Sequence, residues 1–142
     1  MIRRRIAATA AAVTLLVVAF PVSARTQSKE VTQKASKTIE AIRSYTVEKK
    51  DEALAYVRKV GADVDARIKD LKAQAARQTG EAKARSQALI KELEAKRAEA
   101  GKKASDLSRA TKASWDKAKD AFAEAYREVA AAYDRAAAEI RK

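Results

Sequence analysis

Apolar positions in the middle of the chain recur at the spacing of an α-helix. Between residues 46 and 78 they step by three or four, at Ala53, Val57, Val60, Val64, Ile68, Leu71 and Ala75. Three such steps span eleven residues, about 3.67 per turn, which is close to the period of a straight α-helix. The pattern therefore predicts one long helix over residues 46–78, with Gly61 as a weak point.

A second helical segment follows a predicted turn. The turn lies at residues 78–81, because Gly80 can take the left-handed conformation that closes a helix. Helical spacing then resumes over residues 82–140, which could bend or break near residues 110–114, where Thr111 or Ser114 could cap a fresh helix. The apolar side of its first part consists of Leu89, Ile90, Leu93, Ala100, Ala104 and Leu107.

The apolar period changes to seven residues at the end of the chain. Trp115, Phe122, Val129 and Ala136 are spaced by seven, which is typical of a coiled coil. Aromatic residues on this stripe fit the core of a helix pair best, with a contact surface for a protein or lipid headgroups as the alternative. The candidate interaction stripe comprises Trp115, Phe122, Tyr126, Val129 and Tyr133.

These segments predict an all-α fold, a long antiparallel helical hairpin or coiled coil over residues 46–142. Residues 25–45 are polar, with Val31, Ala35, Ile39 and Ile42 at helical spacing, and could add a short third helix that starts at Ser28 as N-cap. Pairing residues 46–78 with 82–110 leaves the aromatic end overhanging, unless residues 28–45 fold against it. An overhang would invite dimerisation.

Acidic and basic side chains support the helices. Six acid-to-base pairs lie four residues apart, the orientation that stabilises an exposed helix by about 0.2–0.5 kcal/mol each. They are Glu30–Lys34, Asp63–Arg67, Asp65–Lys69, Glu81–Arg85, Glu92–Lys96 and Glu99–Lys103.

The first 24 residues have the three-part layout of a secretory signal peptide. Arg3-Arg4-Arg5 precede an apolar run that ends at Phe20, and Val22 and Ala24 are small residues of a cleavage site. The run is short of the ~20 residues that span a bilayer. We expect cleavage near Ala24 and a periplasmic or secreted protein; an uncleaved anchor is the alternative.

Composition narrows the function further. Without the leader, 28 basic and 19 acidic residues give a net charge of +9 over 118 residues. Alanine, the best helix former, outnumbers all large aliphatic residues together, so long helices with a thin apolar seam are expected. The chain has no His and no Cys. Thiol nucleophiles, imidazole bases and the usual transition-metal ligands are therefore missing, and we expect no enzyme, no cofactor and no metal.

The excess of lysine and arginine suggests two kinds of anionic partner. Nucleic acid is not expected, because the basic residues are interleaved with acids and lack base-stacking aromatics. A membrane surface is the better alternative, with basic amphipathic helices lying on anionic lipid.

Two segments carry a resemblance to a known family. Residues 45–52 (Tyr-Thr-Val-Glu-Lys-Lys-Asp-Glu) and 114–122 (Ser-Trp-Asp-Lys-Ala-Lys-Asp-Ala-Phe) resemble small bacterial coiled-coil proteins often labelled stress-response proteins. The resemblance covers residues 45–140 and implies a helical hairpin or small bundle with a protective role, and no catalytic residues. By period alone, the chain is also similar to apolipoproteins and late-embryogenesis-abundant proteins.

The sequence thus predicts a non-enzymatic coiled-coil protein with a structural or stress-protective role in the bacterial envelope. Its expected partners are protein clients or a second copy of the chain. The alternative is a peripheral membrane protein that binds anionic lipid.

Overall fold

Residues 24–142 form four α-helices. A computed structural model describes the backbone of these residues and the side chains from Gln33 onward. Helix α1 spans Ala24–Ser44, α2 spans Lys50–Ala76, α3 spans Gly80–Arg109 and α4 spans Trp115–Ile140, with a short 3-10 helix at Val47–Lys49 before α2. No strand occurs in this part of the chain, so the all-α prediction is confirmed. The predicted signal peptide lies outside the described residues except for Ala24.

Successive helices run antiparallel. Helix α3 packs most extensively against α4, and α2 packs against α3. The end of α1 meets the start of α4, where the Trp115 indole N–H donates to the carbonyl oxygen of Tyr45 at 2.9 Å. At the opposite end, the Gln78 side chain donates to the carbonyl oxygen of Ile140 at 3.3 Å. The predicted hairpin is therefore present, but within a four-helix bundle.

The predicted segment 82–140 consists of two helices. Its continuous form is wrong, because the backbone of Ala110 is extended, with φ of −64° and ψ of 139°, and ends α3. Thr111 and Ser114 then close the turn on each other: the Thr111 N–H donates to Ser114 Oγ at 2.9 Å, and the Ser114 N–H donates to the Thr111 carbonyl at 3.1 Å. Ser114 directly precedes α4, so it occupies the N-cap position that the sequence offers to Thr111 or Ser114. Its hydroxyl, however, is hydrogen-bonded within the turn and not to a backbone N–H of α4.

Helix α1 fills the place where the aromatic end would overhang. Ile42 of α1 shares a core cluster with Trp115 and Phe122, and all three are buried. The helix begins at Ala24, so Ser28 lies inside it and is not its N-cap. The third helix is therefore present and long, and the overhang that would invite dimerisation does not form.

Both predicted seams face the interior. The buried residues of α2 include Ala53, Val60, Leu71 and Ala75 of the eleven-residue pattern. The seven-residue stripe of α4 is buried at Trp115, Phe122, Val129 and Ala136. Two core clusters result, one at the α2–α3 turn end and one where α1 meets α4.

Among the described residues, six ion pairs join different helices, and seven connect residues three or four apart along the chain. Among the predicted pairs, Glu81–Arg85 and Glu99–Lys103 form, at 3.6 and 3.8 Å. The Glu30 side chain lies outside those described. The other three predicted pairs do not form within 4 Å, and in two of them Asp65, Glu92 and Lys96 form ion pairs with residues on another helix instead. The interhelical pairs are Asp65–Arg97, Glu92–Arg135, Lys96–Glu128, Arg85–Glu139, Lys72–Glu94 and Arg43–Asp120.

Candidate functional site

A groove opens on the bundle surface between α1 and α2, with α4 as its floor. Its cavity measures about 310 Å³, and we call it the α1–α2 groove. The floor contains Tyr126, Val129 and Tyr133 of α4, and Val60 and Val64 of α2 form one wall. Its rim carries cationic side chains: Lys34 and Lys37 on α1, and Lys59 and Arg67 on α2.

The groove exists because α1 and α2 pack on different neighbours. The buried residues Ala35, Ile39 and Ile42 direct α1 onto α4, while the apolar seam of α2 faces α3. Contact between α1 and α2 themselves is slight. The interior of the bundle therefore reaches the surface between them, over the middle of α4.

Tyr126 forms a polar point on an otherwise apolar floor. Its hydroxyl is hydrogen-bonded to the side chain of Thr38, a buried residue of α1. Burial raises the pKa of Tyr126 above its ordinary value; the bond to Thr38 and the nearby charge of Arg67 oppose part of that rise. The phenol therefore stays neutral at physiological pH.

The cations of the rim are not neutralised by neighbouring acids. Among the described side chains, Lys34, Lys37 and Lys59 have no carboxylate within 4 Å. The guanidinium of Arg67 lies over the ring of Tyr133, with 6.0 Å from Cζ to the ring centroid. From Gln33 onward, where side chains are described, the groove lining holds four cations and one carboxylate, that of Asp63.

A second cavity, of about 370 Å³, lies on the other side of α2. It arises where small residues of α2 and α3 face each other, at Gly61 and Gly101. The side chain of Arg97 fits between these glycines: a Cβ atom added to Gly61 would lie 2.8 Å from Arg97 Nη2. Four residues line both cavities: Val60, Val64, Tyr126 and Val129.

The structure divides the predicted stripe into two parts. Trp115 and Phe122 are 3% exposed and belong to the core, as the core interpretation expects. Tyr126 and Tyr133 are partly exposed and line the α1–α2 groove together with Val129, which is itself 2% exposed and also belongs to the core. A role of the whole stripe in interaction stays a prediction.

Sequence reasoning missed the other contributors to the groove. Tyr56 and the lysines of α1 come to it from separate helices. Their helical spacing places each of them on the polar face of its helix or at the edge of the apolar face. No pattern in the sequence predicts that α1 and α2 lie on opposite sides of one groove.

Two kinds of feature are absent from the part of the chain that the structure describes. No helix between Ala24 and Lys142 is long and apolar enough to cross a membrane. Within the same part of the chain, Asp and Glu side chains form no cluster of three that could hold a metal ion.

The chain was compared with known proteins at three levels: protein families, curated sequences and solved structures. Comparison with protein-family models, curated proteins and solved structures finds no match to this chain.

Proposed function

We propose that the chain is a non-enzymatic exported protein of the bacterial envelope with a structural or stress-protective role. One observation carries the proposal: the apolar seams of α2, α3 and α4 are buried against each other, so the bundle presents a mainly charged surface to its surroundings. A protein with this surface remains soluble beside unfolding clients and needs no lipid to complete its core.

The interhelical ion pairs support the same role. Six of them connect α1, α2, α3 and α4 around the bundle. These six pairs share no residue with one another, so each adds only a small contribution to stability, which grows in importance at high temperature. The charged helical surface would then shield apolar patches that clients expose under stress.

A client-protection assay tests this function. A heat-unfolding enzyme is incubated with equimolar purified protein, and aggregation is followed by light scattering. We expect slower aggregation than with a basic globular protein at the same mass concentration. The variant Leu93→Asp, which places a carboxylate at a fully buried position, should unfold the bundle and abolish the protection. No slowing for any of several clients would count against a protective role.

The membrane alternative rests on the unpaired cations of α1 and α2. Lys34, Lys37, Lys59 and Arg67 lie around one opening, and a basic surface attracts anionic lipid by about 1 kcal/mol per residue. Co-sedimentation with phosphatidylglycerol vesicles at low salt, reversed at high salt, would favour this function over the protective one. Nucleic acid remains an unexpected partner, and self-association remains a prediction that sedimentation equilibrium can test.

A further inference from the structure

We propose that the α1–α2 groove binds one single-chain anionic amphiphile, a molecule with an anionic headgroup and an unbranched hydrocarbon tail. The headgroup lies among the cations of the rim, and the tail lies on the apolar floor. The ligand is taken up as a monomer from solution. This inference goes beyond the proposed function, because it requires neither a protein client nor a membrane.

Charge complementarity selects the headgroup. Counted over the described side chains, the lining has an excess of three positive charges, and its lysines form no ion pair with a described carboxylate. Lysine binds carboxylate, phosphate or sulfate through charge-assisted hydrogen bonds. A neutral headgroup of the same size would gain no charge-assisted hydrogen bond from these exposed lysines, and a cationic one would be repelled by them.

The shape of the floor selects the tail. Tyr126, Val129, Ala130 and Tyr133 lie at positions i, i+3, i+4 and i+7 of α4, so they form a strip of about 10 Å along the helix axis. Apolar atoms of valine and tyrosine dominate this strip, and Arg67 covers its Tyr133 end. A narrow, elongated surface of this kind fits an extended hydrocarbon chain better than a compact ring system.

The size of the space also fits a small ligand. The groove has a volume of about 310 Å³, near the lower end of ligand pockets, which measure roughly 300–1,000 Å³. The second cavity, of about 370 Å³, lies behind α2 and shares Val60, Val64, Tyr126 and Val129 with the groove.

Calorimetric titration with dodecanoate tests the proposal. The fatty acid is kept below its critical micelle concentration, in low salt, and titrated into the purified protein. We expect a 1:1 complex that becomes about tenfold weaker for each two-carbon shortening of the tail, since each methylene contributes to burial. Dodecyltrimethylammonium, with the same tail and a cationic head, should not bind measurably.

Two pairs of variants locate the site. Lys37→Gln with Lys59→Gln should weaken dodecanoate binding by about tenfold; Lys91→Gln with Lys117→Gln, which removes two exposed lysines outside the groove, should leave binding unchanged. Ala130→Leu fills the floor and should reduce binding, whereas Ala131→Leu, at the adjacent exposed position, should not. Circular dichroism confirms that each variant is folded.

Three results would overturn the proposal. They are equal affinity for the cationic amphiphile, equal loss in the two lysine pairs, and binding to phosphatidylglycerol vesicles without binding to monomeric dodecanoate. The last result would assign the cations to a membrane surface. Client protection is measured separately, so its failure would leave the ligand site standing, and the reverse also holds.

Discussion

The Nζ atom of Lys119 in α4 lies 2.8 Å from the carbonyl oxygen of Tyr45, the residue that follows α1. The same ammonium group donates to the carbonyl oxygen of Arg43 at 2.9 Å. The Arg43 carbonyl belongs to the last turn of α1 and the Tyr45 carbonyl follows it directly, so neither accepts a hydrogen bond from a later turn of that helix. A nearly buried lysine of α4 therefore caps the C-terminus of α1 and holds the two helices together.

Replacing this lysine should loosen α1. We expect Lys119→Met to lower the free energy of unfolding by about 2 kcal/mol, because hydrogen bonds to charged groups contribute roughly 1.5–3 kcal/mol. Urea unfolding followed by circular dichroism measures the change. The matched variant Lys117→Met, at an exposed position of the same helix, should stay within about 0.5 kcal/mol of the parent. Equal effects of the two substitutions would refute the capping role.

A buried hydroxyl offers a gain in stability. Ser86 is fully buried in α3, and its Oγ has no hydrogen-bond partner. Ser86→Ala removes this unsatisfied group and improves helix propensity, so we expect the free energy of unfolding to rise by about 1 kcal/mol. Thermal and urea unfolding should agree on the sign. Ser108→Ala, at an exposed position of the same helix, is the control for propensity, and it also removes the 2.6 Å hydrogen bond from Ser108 Oγ to the Ser105 carbonyl oxygen; a gain as large there would show that burial is irrelevant.

Two glycines should respond to alanine with opposite signs. Gly80 has a φ of +60°, so Gly80→Ala forces a strained backbone and should cost about 1 kcal/mol. In Gly101→Ala, the new Cβ lies 3.3 Å from the flexible end of Arg97, which can shift. This substitution should therefore stabilise α3, by up to about 1 kcal/mol. Urea unfolding midpoints of the two variants, compared with that of the parent, measure both changes. A lower midpoint for both variants would contradict the prediction that Gly101→Ala stabilises α3.

A carboxylate at the end of α4 reports on the α3–α4 contact. Hydrogen bonds from Arg85 and then Lys142 hold the pKa of Glu139 below its ordinary value. A lowered pKa in the folded state means that this interaction stabilises the fold above the unfolded pKa. The contribution is lost as the pH falls through the folded pKa.

Removing the arginine should reverse this effect. Arg85→Gln should raise the pKa of Glu139 towards its ordinary value, which carboxyl-carbon NMR titration measures. Lys91→Gln, also on α3, should leave the pKa of Glu139 unchanged. A Glu139 titration identical in the parent and in Arg85→Gln would show that the 2.7 Å contact does not persist in solution.

The sequence predicts the faces of the helices better than their ends. The periods of three, four and seven residues identify Leu71, Phe122 and Val129 as interior positions, because burial of apolar residues is what creates the pattern. The sequence does not decide whether the helix breaks at residues 110–114, since Thr-Lys-Ala-Ser contains neither Gly nor Pro and can continue a helix. The break is needed for α4 to turn back and pack on α3.

Relations between helices were harder to predict. The sequence pairs Asp65 with Lys69 on its own helix. In the structure, Asp65 forms an ion pair with Arg97 on α3, because Gly61 and Gly101 leave room for the Arg97 side chain. The α1–α2 groove was not predicted, since its lining comes from three helices whose mutual register no local pattern records. The tyrosines at its floor were identified; the lysines at its rim were not.

The contact between α1 and α4 also bears on the order of folding. Helices α2, α3 and α4 are joined by short turns, so the contacts nearest each turn close small loops, which costs little chain entropy and favours rapid folding. Lys119 and Tyr45, by contrast, are separated by 74 residues along the chain. We therefore expect α1 to dock last and to detach first, so that its backbone amides exchange with solvent faster than those of the other three helices.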